Sequence, residues 1–269
     1  MDLVTVTFSI DKEHVYRQAV SINKFVTTRS THWVIIDDDA LSLQEWQTYL
    51  SPLYINHELR IIPNTAKVNF NAPYHAGWII QQILKFTISK YIKSDYYLIL
   101  DSKNFFCKET NLNEWPVTEG NGFAVTAEHS EYNKWLPFSK IVATDLNRSV
   151  TPIVWNPLTP FKVKTATIKQ ILKDFDIESM FQTKDPNPSE FILYSYYADV
   201  EKYKHEVPPF VTIFDSPTEI TSQLLDSIDH SVNIKMFGIH RDYNNVISIP
   251  IVNHWLDQLG IGPHFTLTN

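Results

Sequence analysis

The run YYLILDSKN at residues 96–104 passes from five aromatic or branched side chains to four polar ones with nothing between. Residues 96–100 read as a strand buried on both faces, and Asp101 then leaves the core at its carboxyl end. In open α/β sheets that end of a strand borders the ligand crevice. A carboxylate there can hold a divalent cation and, through it, a phosphate; it can equally open a turn. Asp37, Asp38 and Asp39 close another apolar run, 33–36, and Asp11 follows a first run at 3–10, where it can cap a helix. Lys85 precedes the 96–100 strand on a helix, from which an ammonium can reach a phosphate or simply face solvent. His240 and Arg241 follow a late strand, where an imidazole or guanidinium can meet a metal or a phosphate, or sit in a surface turn. Glu190 opens a helix, whose N-terminus favours the ionised carboxylate and so weakens it as a proton acceptor.

The elements that would place these groups alternate between two periods. Residues 3–10, 33–36 and 59–62 read as strands, and 11–25 and 43–50 as helices, with Pro63 stopping the third strand. Strand, helix, strand, helix, strand at this spacing means parallel strands joined by crossovers. Residues 64–76 read as a surface loop. The clearest helix spans 77–92, with Ile80, Ile83, Leu84, Thr87, Ile88 and Tyr91 on one face and Gln81, Gln82 and Lys85 off it. Beyond it the expected strands are 123–127, 153–155, 210–214 and 234–239, and the expected helices 167–175, 190–200, 218–228 and 251–259. Residues 128–138 read as an aromatic, polar loop, and Pro152, Pro157 and Pro160 forbid a helix around 153. Pro186 to Ser189 supply the proline and N-cap signals that start the 190–200 helix. No repeat or linker divides the chain, so 1–269 reads as one domain whose two halves, about 1–107 and about 108–269, share one sheet.

Composition narrows the chemistry. The 269 residues carry 23 Lys and Arg against 30 Asp and Glu, a net charge of −7, which lacks the basic face a nonspecific nucleic-acid binder needs. Hydrophobic residues at 43% and aromatics at 13% belong to a folded globular chain. With 6 glycines, no dinucleotide fingerprint or phosphate-binding glycine loop can be assembled. The single cysteine, Cys107, excludes an intramolecular disulfide and a cysteine-based zinc site. The amino terminus goes straight into a strand without a basic leader, and no apolar run approaches the roughly 18 residues that span a bilayer. The expected setting is the cytoplasm.

The stretch GWIIQQILKF…DYYLILDSKNFF, together with PSEFILYSYY at 188–197 and FGIHRDY at 237–243, resembles the GT-A glycosyltransferases, in particular a poorly characterised bacterial and phage group with that fold. The resemblance implies a mostly parallel central sheet flanked by helices, with a nucleotide-binding half followed by an acceptor half. It implies a hexosyltransferase-like enzyme moving a sugar from a UDP- or GDP-sugar to a glycan, lipid or protein acceptor. The Asp-x-Asp motif of such families binds Mn2+ or Mg2+, so Asp101 and His240 become the implied metal ligands. Here the motif is degenerate: Lys103 stands where the second carboxylate belongs, and repels a dication. Lys103 could then neutralise the diphosphate itself, or the chain could bind a sugar nucleotide without turnover. The resemblance further assigns Asp11, Asp37 and Asp38 to the nucleoside side, Lys85 and Arg241 to phosphate, and Glu190 to the acceptor as base, with inversion if it is one. Trp78, Trp135 and Trp155 could stack on sugar rings or fill the core. A phosphatase with an Asp nucleophile is disfavoured, because Lys103 occupies the place of its second acid.

Overall fold

The computed structural model describes residues 1–38, 40–64, 76–181, 188–203, 206–213, 222–239 and 250–261. The first half is built as its periodicity predicts. β1 (Asp2–Thr7), α1 (Lys12–Phe25), β2 (Thr31–Ile36), α2 (Leu43–Leu50) and β3 (Glu58–Pro63) form three parallel strands joined by helices. Pro63 ends β3 as its last paired residue, opposite Ile36, a place an edge strand tolerates. α3 (Ala76–Thr87) runs on as a short 3-10 turn and delivers the chain into β4 (Tyr96–Asp101), which pairs with β1. Ser42 and Glu45 form a reciprocal capping box at the start of α2.

The second half departs further from expectation. β5 (Asn104–Phe106) turns away from β4 immediately, and β6 (Ala124–Thr126) follows as a short strand. The loop expected over 128–138 holds only as a turn at 128–131: α4 (Tyr132–Asp145) begins there and carries Pro137 inside it. Its buried residues Phe138, Ser139, Val142 and Ala143 repeat at helical spacing, and that burial outweighs the backbone bond the proline removes. β7 (Ile153–Trp155) pairs with β6, and β8 (Phe161–Lys164) lies antiparallel against β4. α5 (Thr165–Asp174), α6 (Ile177–Phe181), α7 (Glu190–Ser195) and α8 (Val200–Tyr203) follow, so the helix expected over 190–200 breaks in two. β9 (Phe210–Ile213), α9 (Ser222–His230), β10 (Met236–Ile239) and α10 (Pro250–Gln258) complete the described chain.

Among the described residues there are three sheets rather than one shared sheet: β3-β2-β1-β4-β8, β5-β10-β9 and β6-β7. Strand alternation in the largest divides the core between its two faces. Leu3, Val34, Ile36, Leu98 and Leu100 meet the apolar sides of α1 and α2, including Val15, Ile22 and Trp46. Val4, Val6, Ile35, Tyr97 and Ile99 meet α3 and the second half through Ile83, Phe161 and Phe191. The result is a mixed α/β fold with a mostly parallel central sheet flanked by helices. No described helix is long and apolar enough to cross a membrane.

Candidate active site at the carboxyl ends of β1, β2 and β4

Strand order reverses between β1 and β4, and Asp101 ends β4 at that point. Continuing the Tyr97–Ile99 alternation, its side chain falls on the α3 face. There Asp101 Oδ1 lies 3.3 Å from Lys85 Nζ, and Oδ2 accepts a 2.8 Å hydrogen bond from the Thr159 hydroxyl. Lys85 Nζ also lies 3.3 Å from Glu190 Oε1, so one ammonium joins two carboxylates. Exposure is graded across the three: the Asp101 side chain is 53% exposed, Lys85 9% and Glu190 4%.

The sequence reading left Gln82 and Lys85 off the apolar face of α3, and they are nonetheless buried. That flank of the helix faces α7 instead of solvent. Gln82 Oε1 accepts the Glu190 backbone N–H at 2.9 Å and so caps α7, a task the sequence assigns to Ser189, whose side chain makes no cap. Phe191 stacks flat on Phe161 at 3.9 Å between ring centroids, fixing α7 against β8 next to β4. Burial works against the charge on Lys85, yet Asp101 and Glu190 together raise its pKa, so the ammonium is kept. Burial raises the Glu190 carboxyl above its ordinary value, opposed by Lys85.

The other strand tips are tied to one another by their acids. Asp38 Oδ2 accepts the Ser9 backbone N–H at 2.6 Å and the Ser9 hydroxyl at 2.8 Å, joining the end of β2 to the turn after β1. Asp11 stands at the N-cap position of α1 but makes no side-chain cap, a correction to its expected role. It accepts the Ser102 hydroxyl at 2.9 Å and so ties that turn to the end of β4. Asp37 Oδ1 accepts from the Asn64 side-chain amide, while Oδ2 is buried with no partner among the described residues. Burial, reinforced by Asp38 and opposed by Asn64, pushes the Asp37 carboxyl up to about 7.

Lys103 is buried, close enough to His14 of α1 to act on its charge. Burial first, then Lys103 and Arg17, hold His14 down to about 3. His240 and Arg241 lie outside the described residues, as does Asp39. Trp155 is fully buried, and Trp78 and Trp135 pack against the same core cluster, which favours filling over sugar stacking. Thr159, Gln82 and Gln18 bear on Asp101 or Glu190 and were missed from sequence. All three act across long chain separations, which no local pattern signals.

A divalent cation would need several hard ligands at one point. Among the described residues no three acidic, histidine or cysteine side chains converge on one point. Asp101 offers two oxygens that already accept from Lys85 and Thr159, with an ammonium 3.3 Å away. This donor set does not by itself fit a dication.

The fold places the chain in a class. It is similar to the galactosyltransferase LgtC, solved with donor and acceptor sugar analogs, at 12% identity over 97% of this chain and 95% of that one, with a TM-score of 0.52. An active-site mutant of LgtC matches over the same shares at 12% identity and a TM-score of 0.50. The apo structure of the bifunctional glycosyltransferase WbbM matches at 13% identity over 88% of this chain and 45% of that one, with a TM-score of 0.48. The likeness to LgtC gives the architecture, the GT-A glycosyltransferase fold. The chain itself belongs to the family of unknown function DUF6492, whose model matches residues 5–222. No curated protein matches it.

Proposed function

We propose that this chain is a glycosyltransferase that takes its sugar from a UDP- or GDP-sugar and passes it to a glycan, lipid or protein acceptor. The observation that carries the reading is the Asp101–Lys85–Glu190 array, set where the strand order reverses. A half-exposed carboxylate gripped by a buried ammonium and a threonine hydroxyl is held in one orientation, and it can accept hydrogen bonds from sugar hydroxyls. Lys85 supplies the positive charge behind it. Asp37, with one oxygen that has no partner among the described residues and a raised pKa, can meet a ribose or base donor in either protonation state. Asp11 and Asp38 support the same edge by joining the strand tips. Lys103 and Arg241 are assigned to diphosphate charge.

Glu190 is the residue whose role changes most. Its burial and its contact with Lys85 suit a group that acts through the lysine better than one that takes a proton from an acceptor. We therefore assign it to holding Lys85, with no step routed through a metal. The expected Mn2+ or Mg2+ enters as a variable of the assay. Calorimetry with a panel of UDP- and GDP-sugars, with EDTA or with Mn2+, tests the reading beside a turnover assay that follows UDP or GDP release. Binding with turnover supports it, and the absence of both refutes it. Lys103, standing in place of the second carboxylate, favours one alternative: a chain that binds the sugar nucleotide without transferring the sugar. Binding without release would select that alternative.

A further inference from the structure

A line of buried polar side chains runs beneath the Asp101 turn on the α1 face of the sheet. Gln18 Nε2 lies 2.7 Å from the carbonyl of Asp101 and 3.0 Å from that of Asn104. Two carbonyls demand a donor, so the amide nitrogen must face them and Oε1 must face Thr5, at 2.8 Å. Thr5 therefore gives its proton to Gln18 and accepts from His32 Nε2 at 2.9 Å. That fixes His32 as the neutral Nε2–H tautomer, leaving Nδ1 to accept from the Tyr54 hydroxyl. Thr5, Gln18 and His32 are fully buried. Each donor in the line has one direction available, and the order is set entirely by the two carbonyls at its end.

We propose that Thr5, Gln18, His32 and Tyr54 are positioning residues that hold the β4–β5 turn, and with it the Asp101 carboxylate, in the geometry that meets the ligand. The inference rests on the proposed function for its ligand, and on geometry alone for the turn. Asp101 N–H donates to Asn104 Oδ1 at 2.9 Å, so the turn is closed upon itself and Gln18 grips both of its ends. Burial keeps His32 at about 3, so the line does not reverse near neutral pH.

Thr5 lies on β1, two hydrogen bonds from the turn, which makes it the place to cut the line without touching the ligand. Thr5→Val removes the hydroxyl at constant shape, and Thr5→Ser restores it. We expect Thr5→Val to speed amide exchange of segment 101–106 about tenfold while α9, which lies outside the line, is unchanged, with Thr5→Ser near wild type. With UDP-glucose as probe, Thr5→Val should weaken binding roughly five- to tenfold, and Thr5→Ser should recover it. Unchanged exchange at 101–106 in Thr5→Val would overturn the proposal, as would a loss that Thr5→Ser fails to rescue. Imidazole nitrogen shifts of the wild-type chain provide a test that needs no variant: an Nδ1–H tautomer of His32 contradicts the derived order. If the wild-type chain binds no sugar nucleotide, the proposed function fails, and exchange and tautomer still decide this proposal.

Discussion

At the scale of single residues, the informative group is a lysine that composition would assign to solvent. Lys85 is buried between two carboxylates, and removing either partner changes what the other must do. We expect Glu190→Gln to lower the melting temperature and weaken donor binding, with kcat reduced by less than about tenfold. A kcat loss of about a hundred- to ten-thousandfold at unchanged affinity would make Glu190 the base instead. Asp37 gives a second test. Its carboxyl sits at about 7 folded against an ordinary value of 3.8, so folding favours the protonated form. The stability it contributes is present below the ordinary value and is lost as pH rises through about 7. Asp37→Asn should therefore melt higher than wild type near pH 8 and no higher near pH 4, in scans across that range. An equal difference at both values would deny the raised pKa.

At the scale of elements, β1 to β4 were legible because each strand is an apolar run with a sharp stop, acids after β1, β2 and β4 and Pro63 in β3, and helix-length intervals lie between. Their strand-end acids were legible for the same reason. The helix over 132–145 was not, since Pro137 and a cluster of polar and aromatic residues masked the Phe138–Val142 spacing. Nor was β8, a four-residue strand whose place is set by pairing with β4. The contacts that complete the site fall into the same class: Thr159 reaches Asp101 and Gln82 reaches Glu190 only after the chain has folded. Lys85 and Glu190 were each singled out from sequence, but their pairing was not, because it depends on how α3 meets α7. Phe161 of β8 holds α7 from the sheet side, stacked on Phe191 beside Glu190. Phe161→Ala should cost about 3–5 kcal/mol in denaturant unfolding and loosen α7. A cost below about 1 kcal/mol would mean that the stack does not hold that helix.

At the scale of the molecule, the central sheet delivers four parallel strand ends to one edge, and three of them carry the acids discussed above. An overall charge of −7 makes a local cation such as Lys85 more conspicuous there, because the surrounding field does not supply attraction for an anionic ligand. The residues at that edge decide whether it takes the sugar nucleotide proposed above. Calorimetry of the wild-type chain and Asp101→Ala against the same UDP- and GDP-sugar panel asks that question most directly. The account predicts that at least one sugar nucleotide binds the wild-type chain, and that Asp101→Ala loses tenfold or more of that affinity, about 1.4 kcal/mol, while keeping its circular dichroism and melting cooperativity. Equal affinity in the two proteins, with the variant folded, would contradict it.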